Sequence, residues 1–174
     1  AEYNGVDQAS HVKDKIIEMN QLNETLYCGC IACAAEGARR PSGTYYVDPL
    51  LANVHKQNVT RFPYEIARLA QDIAGGLMVT LPSEEDLKSP AVGKWLEKCF
   101  KARSGVSTEH RMRILRLIEN LTLGSAAVGY LTESMHGAGS PQAQRIMISR
   151  LVDMREKQKH AKRLCGIAGE KDME

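Results

Sequence analysis

Three groups of residues carry side chains able to do chemistry: a carboxylate and an imidazole at Glu133 and His136, thiols at Cys28, Cys30 and Cys33, and a polar run from His55 to Arg61. Glu133 and His136 stand three apart, so on a helix they share a face. They lead into Gly137-Ala138-Gly139-Ser140-Pro141-Gln142, a helix stop followed at once by a helix start. Gly137 or Gly139 can adopt the positive φ that ends a helix. Ser140 and Pro141 read as the N-cap and first residue of the next one. The free N–H groups of a helix start can seat an anion or a polarised ligand atom. An acid–base pair and a set of backbone donors therefore meet at one corner, which makes it a candidate ligand site. The competing reading is a plain helix–helix corner with solvated polar residues.

The thiols make a poorer site. Cys30 and Cys33 share a helix face, whereas Cys28 and Cys33 do not. A zinc or iron–sulfur centre takes four protein ligands, or three and an open position. Cys99 and Cys165 stand alone in the sequence, and His11, His55, His110 and His160 have no partner at ligand spacing. The favoured reading is small, buried, helix-face cysteines. Their odd number, five, suits reduced thiols better than a secreted disulfide framework. His55, with Lys56, Gln57, Asn58 and Arg61, forms a polar face that could meet a phosphate or a flavin edge; a solvated helix face is the plainer alternative. Dinucleotide-binding, phosphate-loop and nucleophile-elbow patterns are absent from the sequence.

The elements that must position these groups are helical. The 174 residues, 43% hydrophobic and 25% charged, have the size and balance of one globular domain, and with 5% aromatics the core must rest on Leu, Ile, Val, Met and Ala. A net charge of +2 gives no strong pull toward nucleic acid or membrane, and no apolar run approaches the roughly 18 residues of a membrane span. Val12, Ile16, Met19, Leu22, Leu26, Cys30 and Cys33 step by threes and fours, which predicts one long amphipathic helix from Asp7 to Glu36, closed by Gly37. Asp48-Pro49 opens a second helix that Phe62-Pro63 kinks or restarts and Gly75-Gly76 stops. Leu77 to Leu81 reads as a buried connector, and Ser83 to Asp86 resembles a capping box. A short helix follows over Pro90–Ala102. Ser107 or Thr108 caps the next long helix, whose stripe is Met112, Leu115, Ile118 and Leu121 or Thr122. The small residues Gly124 to Gly129 permit close approach of a helix or a flat ligand. The last helix runs from Pro141 to Leu164, with a charged end. The sum is an all-α four-helix bundle with extra short helices and no sheet. Residues 1–166 form the bundle and 167–174 a flexible tail. The chain opens at Ala1, without an initiator methionine, and reads as part of something larger.

Longer runs carry a family resemblance: Asn58-Val59-Thr60-Arg61-Phe62-Pro63-Tyr64-Glu65 through Gly75-Gly76-Leu77-Met78-Val79-Thr80-Leu81-Pro82-Ser83-Glu84, Leu22-Asn23-Glu24-Thr25-Leu26-Tyr27-Cys28, and Thr132-Glu133-Ser134-Met135-His136-Gly137-Ala138-Gly139-Ser140-Pro141-Gln142. Together they resemble the 4-hydroxybutyryl-CoA dehydratase/vinylacetyl-CoA isomerase family, which sits with the 4-hydroxyphenylacetate 3-hydroxylase flavoproteins. The similarity extends from about Ala1 to Arg150. It implies the C-terminal bundle of a larger flavoprotein of acyl-CoA-dehydrogenase-like architecture, with the N-terminal helical and middle β domains absent here. It further implies a cytoplasmic homo-oligomer, dimer or tetramer, that carries FAD and a [4Fe–4S] cluster. Such an enzyme dehydrates 4-hydroxybutyryl-CoA to crotonyl-CoA and isomerises vinylacetyl-CoA.

Carried over residue by residue, the resemblance makes Glu133 the general base or acid near the substrate carbons, with His136 beside it. Gly137, Gly139, Ser140 and Gln142 then lie near flavin, and Arg61 is a further cofactor-binding candidate. Family members hold the cluster with three cysteines and one histidine, two cysteines coming from the N-terminal part. Cys28 matches the third cysteine, but Gln21 stands at the histidine position, and an amide is a poor iron ligand. A cluster-less flavin hydroxylase and a stand-alone oligomerisation module are the alternatives, and the isolated chain is expected to be inactive.

Overall fold

Elementary capping chemistry sets most helix boundaries in the computed structural model, which describes residues 1–167. Helix α1 spans Ser10–Ala35 and ends on Glu36. A hairpin of two-residue strands follows, β1 (Ala38–Arg39) antiparallel to β2 (Tyr45–Tyr46). It is the one departure from a sheet-free chain among the described residues. Gly37 has a packing reason at that point: a Cβ there would lie 2.6 Å from the Tyr45 ring and 2.7 Å from the Tyr46 carbonyl. Helix α2 spans Pro49–Val59, and the Asp48 side chain accepts the Leu51 N–H at 2.7 Å. The chain restarts at Phe62–Pro63 as α3, Phe62–Ala74, and Gly75 (φ 75°) stops it.

After one 3-10 turn, Gly76–Met78, come two short helices, α4 (Glu84–Lys88) and α5 (Gly93–Phe100). The Ser83–Asp86 capping box opens α4 in both directions, side chain to backbone and back. Helix α6, Thr108–Thr122, starts where Ser107 Oγ accepts the His110 N–H. A π-helical turn, Val128–Thr132, leads into the six-residue α7, Glu133–Ala138. Helix α8 covers Pro141–Leu151 and α9 covers Met154–Leu164. The expected single last helix is thus two, because Val152 is extended and Asp153 caps a new start by accepting the Glu156 N–H. The expected flexible tail lies, beyond Ile167, outside the described residues.

α1 packs on α2 and α3, α3 packs on α6, and α2 on α7 and α8. The tightest core sits where the end of α3, the 3-10 turn and α6 meet: Ala74, Met78 and Leu115, flanked by Leu77, Leu81 and Ile118. Within the supposed buried connector only Met78 is fully inside; Val79 is 77% exposed. The buried Arg111 donates to Asn4 Oδ1 and the Phe100 carbonyl, while Asn4 donates to the carbonyls of Ile73 and Ala74. These bonds tie the first residues to α3, α5 and α6. The α1 stripe is only half covered. Val12 is buried, but Ile16 is on the surface, as are Cys28 and Cys30. The cysteines are therefore not the buried helix-face residues expected of them: α2 and α3 cover the other side of α1, and only Cys33 is partly shielded.

Candidate active-site corner

The α7–α8 corner begins with a geometric change in the helix before it. In the π turn the Glu133 N–H bonds to the Val128 carbonyl, five residues back. Such wide turns often mark functional positions. Glycine at 129 leaves room for the Glu133 carboxylate to fold back: a Cβ there would lie 3.4 Å from Glu133 Oε2. Glu133 and His136 are both exposed on α7. The ion pairs among the described residues do not include Glu133.

Of the two candidate stop residues, Gly139 takes the role. Its φ of 87° with ψ of 176° is a region open essentially to glycine alone. Gly137 stays inside α7. A Cβ on either glycine would meet nothing within 4 Å, so neither is there to let a protein neighbour pack. Ser140 is the N-cap of α8 with Pro141 beside it, yet its side chain makes no capping bond. Hydrogen-bond partners within the described chain are therefore absent for the N–H groups of Gln142 and Ala143. The exposed Gln142 side chain stands on the same first turn.

Two amides hold the corner from behind. Gln144, 3% exposed, donates from Nε2 to the Ala138 carbonyl at 2.8 Å and the Gly139 carbonyl at 3.0 Å. Its Oε1 accepts from Gln57 Nε2 on α2, which also donates to the Pro141 carbonyl at 2.9 Å. Three carbonyl acceptors leave one orientation for each amide that satisfies every bond. Sequence reading placed Gln57 on a polar face and gave Gln144 no role; with 87 positions between them, no local signal pairs them.

The other candidates lie elsewhere. Arg61, exposed at the N-cap of α3, lines an open cavity of about 490 Å³ with Leu22, Phe62, Tyr64, Glu65 and Arg68, none of them corner residues. There the bidentate Arg68 hydrogen bonds hold the Glu65 carboxyl below its usual value and consume that acid's charge. His55 lines a second open cavity, of about 410 Å³, with Asn23, Glu24, Leu26, Tyr27 and Val59, and its Nδ1 is buried without a partner. Gln21 and Cys28, nearly two helical turns apart, share one exposed stripe of α1. Among the described residues no three His, Cys, Asp or Glu side chains come together as a metal site. The structure therefore sets Glu133, His136, Gly137, Gly139, Ser140 and Gln142 along α7 and the start of α8, whereas Arg61 lines the cavity at the start of α3 and Cys28 lies on α1.

The family model described as 4-hydroxyphenylacetate 3-hydroxylase C terminal matches residues 1–166. The 4-hydroxybutyryl-CoA dehydratase/vinylacetyl-CoA-Δ-isomerase of Clostridium aminobutyricum is 61% identical over 96% of this chain and 36% of its own length. An oxygen-tolerant archaeal 4-hydroxybutyryl-CoA dehydratase from N. maritimus superposes with a TM-score of 0.91 at 60% identity, over 99% of this chain and 35% of that one. The oxygenase component of 4-hydroxyphenylacetate 3-monooxygenase, complexed with FAD and 4-hydroxyphenylacetate, has a TM-score of 0.83 at 21% identity, over 95% of this chain and 34% of that one, and so shares the fold. The chain spans about a third of the length of these relatives.

Proposed function

Because the chain belongs to the 4-hydroxyphenylacetate 3-hydroxylase C-terminal family, we propose that it serves as the C-terminal helical domain of a flavin-dependent 4-hydroxybutyryl-CoA dehydratase/vinylacetyl-CoA isomerase. The observation that carries this reading is the α7–α8 segment, where an exposed carboxylate and an exposed imidazole on α7 are followed, across the Gly139 turn, by the partnerless N–H groups that open α8. Identity to the dehydratases, 61% and 60%, against 21% to the solved hydroxylase, favours the first activity over the second.

The corner fits FAD on its own chemistry. Gly137 and Gly139 leave its outer side open, so a flat ring can lie close to the backbone. The N–H groups of Gln142 and Ala143 and the Gln142 amide are placed to hydrogen-bond a polar ring edge. Bound flavin would supply redox chemistry that labilises an otherwise unacidic C–H bond of the thioester. Glu133, free of ion pairs among the described residues, takes or returns the proton at substrate carbon. His136 offers a second proton-transfer group at the same rim, able to protonate the hydroxyl that leaves as water. In isomerisation no water leaves, and the same pair moves one proton between carbons.

Toward an iron–sulfur cluster these residues offer the exposed Cys28 on α1, with Gln21, an amide and so a poor iron ligand, at the position where the family resemblance implies histidine. No step here runs through one. Arg61, lining the cavity at the start of α3, is assigned to an anionic part of a ligand, since its acidic neighbour Glu65 is already neutralised by Arg68. Exposed Leu117, Leu123, Val128 and Tyr130 form apolar surface that the remaining domains or a second subunit would cover. Among the described residues no helix is long and apolar enough to cross a membrane. The test is anaerobic assay of the full-length polypeptide carrying this chain for FAD content and for conversion of 4-hydroxybutyryl-CoA.

A further inference from the structure

We infer that Gln57 and Gln144 are positioning residues that fix the α7–α8 corner in the orientation its chemistry needs. This rests on the reading of that corner as the reactive rim. The last carbonyls of a helix have no partners within it and must find them elsewhere. At the end of α7 the two N–H donors of one buried side chain, Gln144, take the carbonyls of Ala138 and Gly139. Gln57 then takes the Pro141 carbonyl and locks Gln144 by donating to its Oε1.

The carbonyls of Ala138, Gly139 and Pro141 are thereby satisfied by buried or half-buried amides, while the partnerless N–H groups at Gln142 and Ala143 remain. A rim with both signs facing out would attract and repel the same ligand atom; this one presents donors. The amides also anchor the segment that follows Glu133 and His136 to α2, a neighbour already packed on α1. With Gly139 in a glycine-only conformation and Ser140 supplying no side-chain cap, the corner's own residues do little to hold it. The restraint comes from a helix more than eighty positions away in sequence.

Gln57→Ala leaves Gln144 bonded to its two carbonyls but unanchored; Gln144→Leu removes the clamp at nearly constant volume. Both are made in the full-length polypeptide, with FAD and 4-hydroxybutyryl-CoA as probes. Gln57→Ala is expected to keep the wild-type circular dichroism and to speed amide exchange over residues 138–143. It should change the visible spectrum of bound FAD and lower kcat roughly 10- to 100-fold at nearly constant KM. Should Gln144→Leu fail to fold, Gln57→Ala decides alone. A Gln57→Ala protein with wild-type exchange over 138–143 overturns the inference. So does one that merely melts earlier while its flavin spectrum and kcat stay wild-type. If the wild-type protein turns over no acyl-CoA, the enzymatic reading fails, and the exchange result still shows whether the amides hold the corner.

Discussion

Gly29 of α1 packs against His55 of α2: a Cβ at position 29 would stand 2.6 Å from His55 Nδ1 and 3.5 Å from His55 Cβ. The conflict is with the ring, at Nδ1 and at Cγ (3.3 Å), while Cβ stands at ordinary contact distance; a flip of the ring only puts Cδ2 where Nδ1 was and does not relieve it. α2 in turn carries Gln57, and through it the corner. The Gly29–His55 contact is thus part of the packing of the helix from which the candidate site is held.

Gly29→Ala should therefore destabilise the chain by about 1–3 kcal/mol, as overpacking does, even though alanine is the better helix former. Urea unfolding measures it. Gly29→Ala with His55→Ala should recover much of the loss, because the two positions share one contact.

The corner glycines separate conformational need from ligand access. Gly139 holds a φ of 87° that other residues adopt at a cost of about 1–3 kcal/mol, so Gly139→Ala should lower stability by that amount. Gly137 is helical with open space around it, and Gly137→Ala should be neutral or stabilise by about 0.5–1 kcal/mol. On the proposed function, the same Gly137→Ala change in the full-length polypeptide should weaken FAD binding, since the added methyl would stand where the ring would approach. Thermal melts and a flavin titration on the two variants check both halves.

Lys15 Nζ lies 2.6 Å from Asp72 Oδ2 and joins α1 to α3. That hydrogen bond, followed by the charges of Lys15, Arg68 and His11, holds the Asp72 carboxyl below its ordinary value of 3.8. A carboxylate depressed on folding stabilises the fold fully above the unfolded value. The contribution disappears as pH falls through the lower, folded value. Asp72→Asn should be less stable than wild type at neutrality, and the gap should close below 3.8. Unfolding curves at a series of pH values show whether the two converge.

Legibility in the sequence followed the range of the interactions. Asp48-Pro49, Ser83 with Asp86, Ser107, the Phe62-Pro63 restart and the Gly75 stop were readable because each is settled by side chains within three or four residues. The helix stop and restart at Gly-Ala-Gly-Ser-Pro was readable for the same reason. The π turn at Val128–Thr132 was not, since the mostly small residues from Gly124 to Gly129 carry too weak an apolar stripe to show a one-residue shift in register. Nor was the break at Val152, where Asp153 outcompetes a periodicity that runs on past it. The exposure of Cys28 and Cys30 was misread because a helical stripe shows which residues share a face, not whether a neighbour covers it. The Gln57–Gln144 clamp depends on tertiary packing alone.

The most direct measurement compares Glu133→Gln with wild type in the full-length polypeptide, under anaerobic conditions, for 4-hydroxybutyryl-CoA conversion alongside the spectrum of bound FAD. Glutamine keeps the size of the side chain and removes its ability to take a proton. The predicted result is an unchanged flavin spectrum with turnover lowered by about 10²–10⁴-fold. A Glu133→Gln enzyme that dehydrates its substrate at the wild-type rate would contradict the assignment of the α7–α8 corner as the reactive rim.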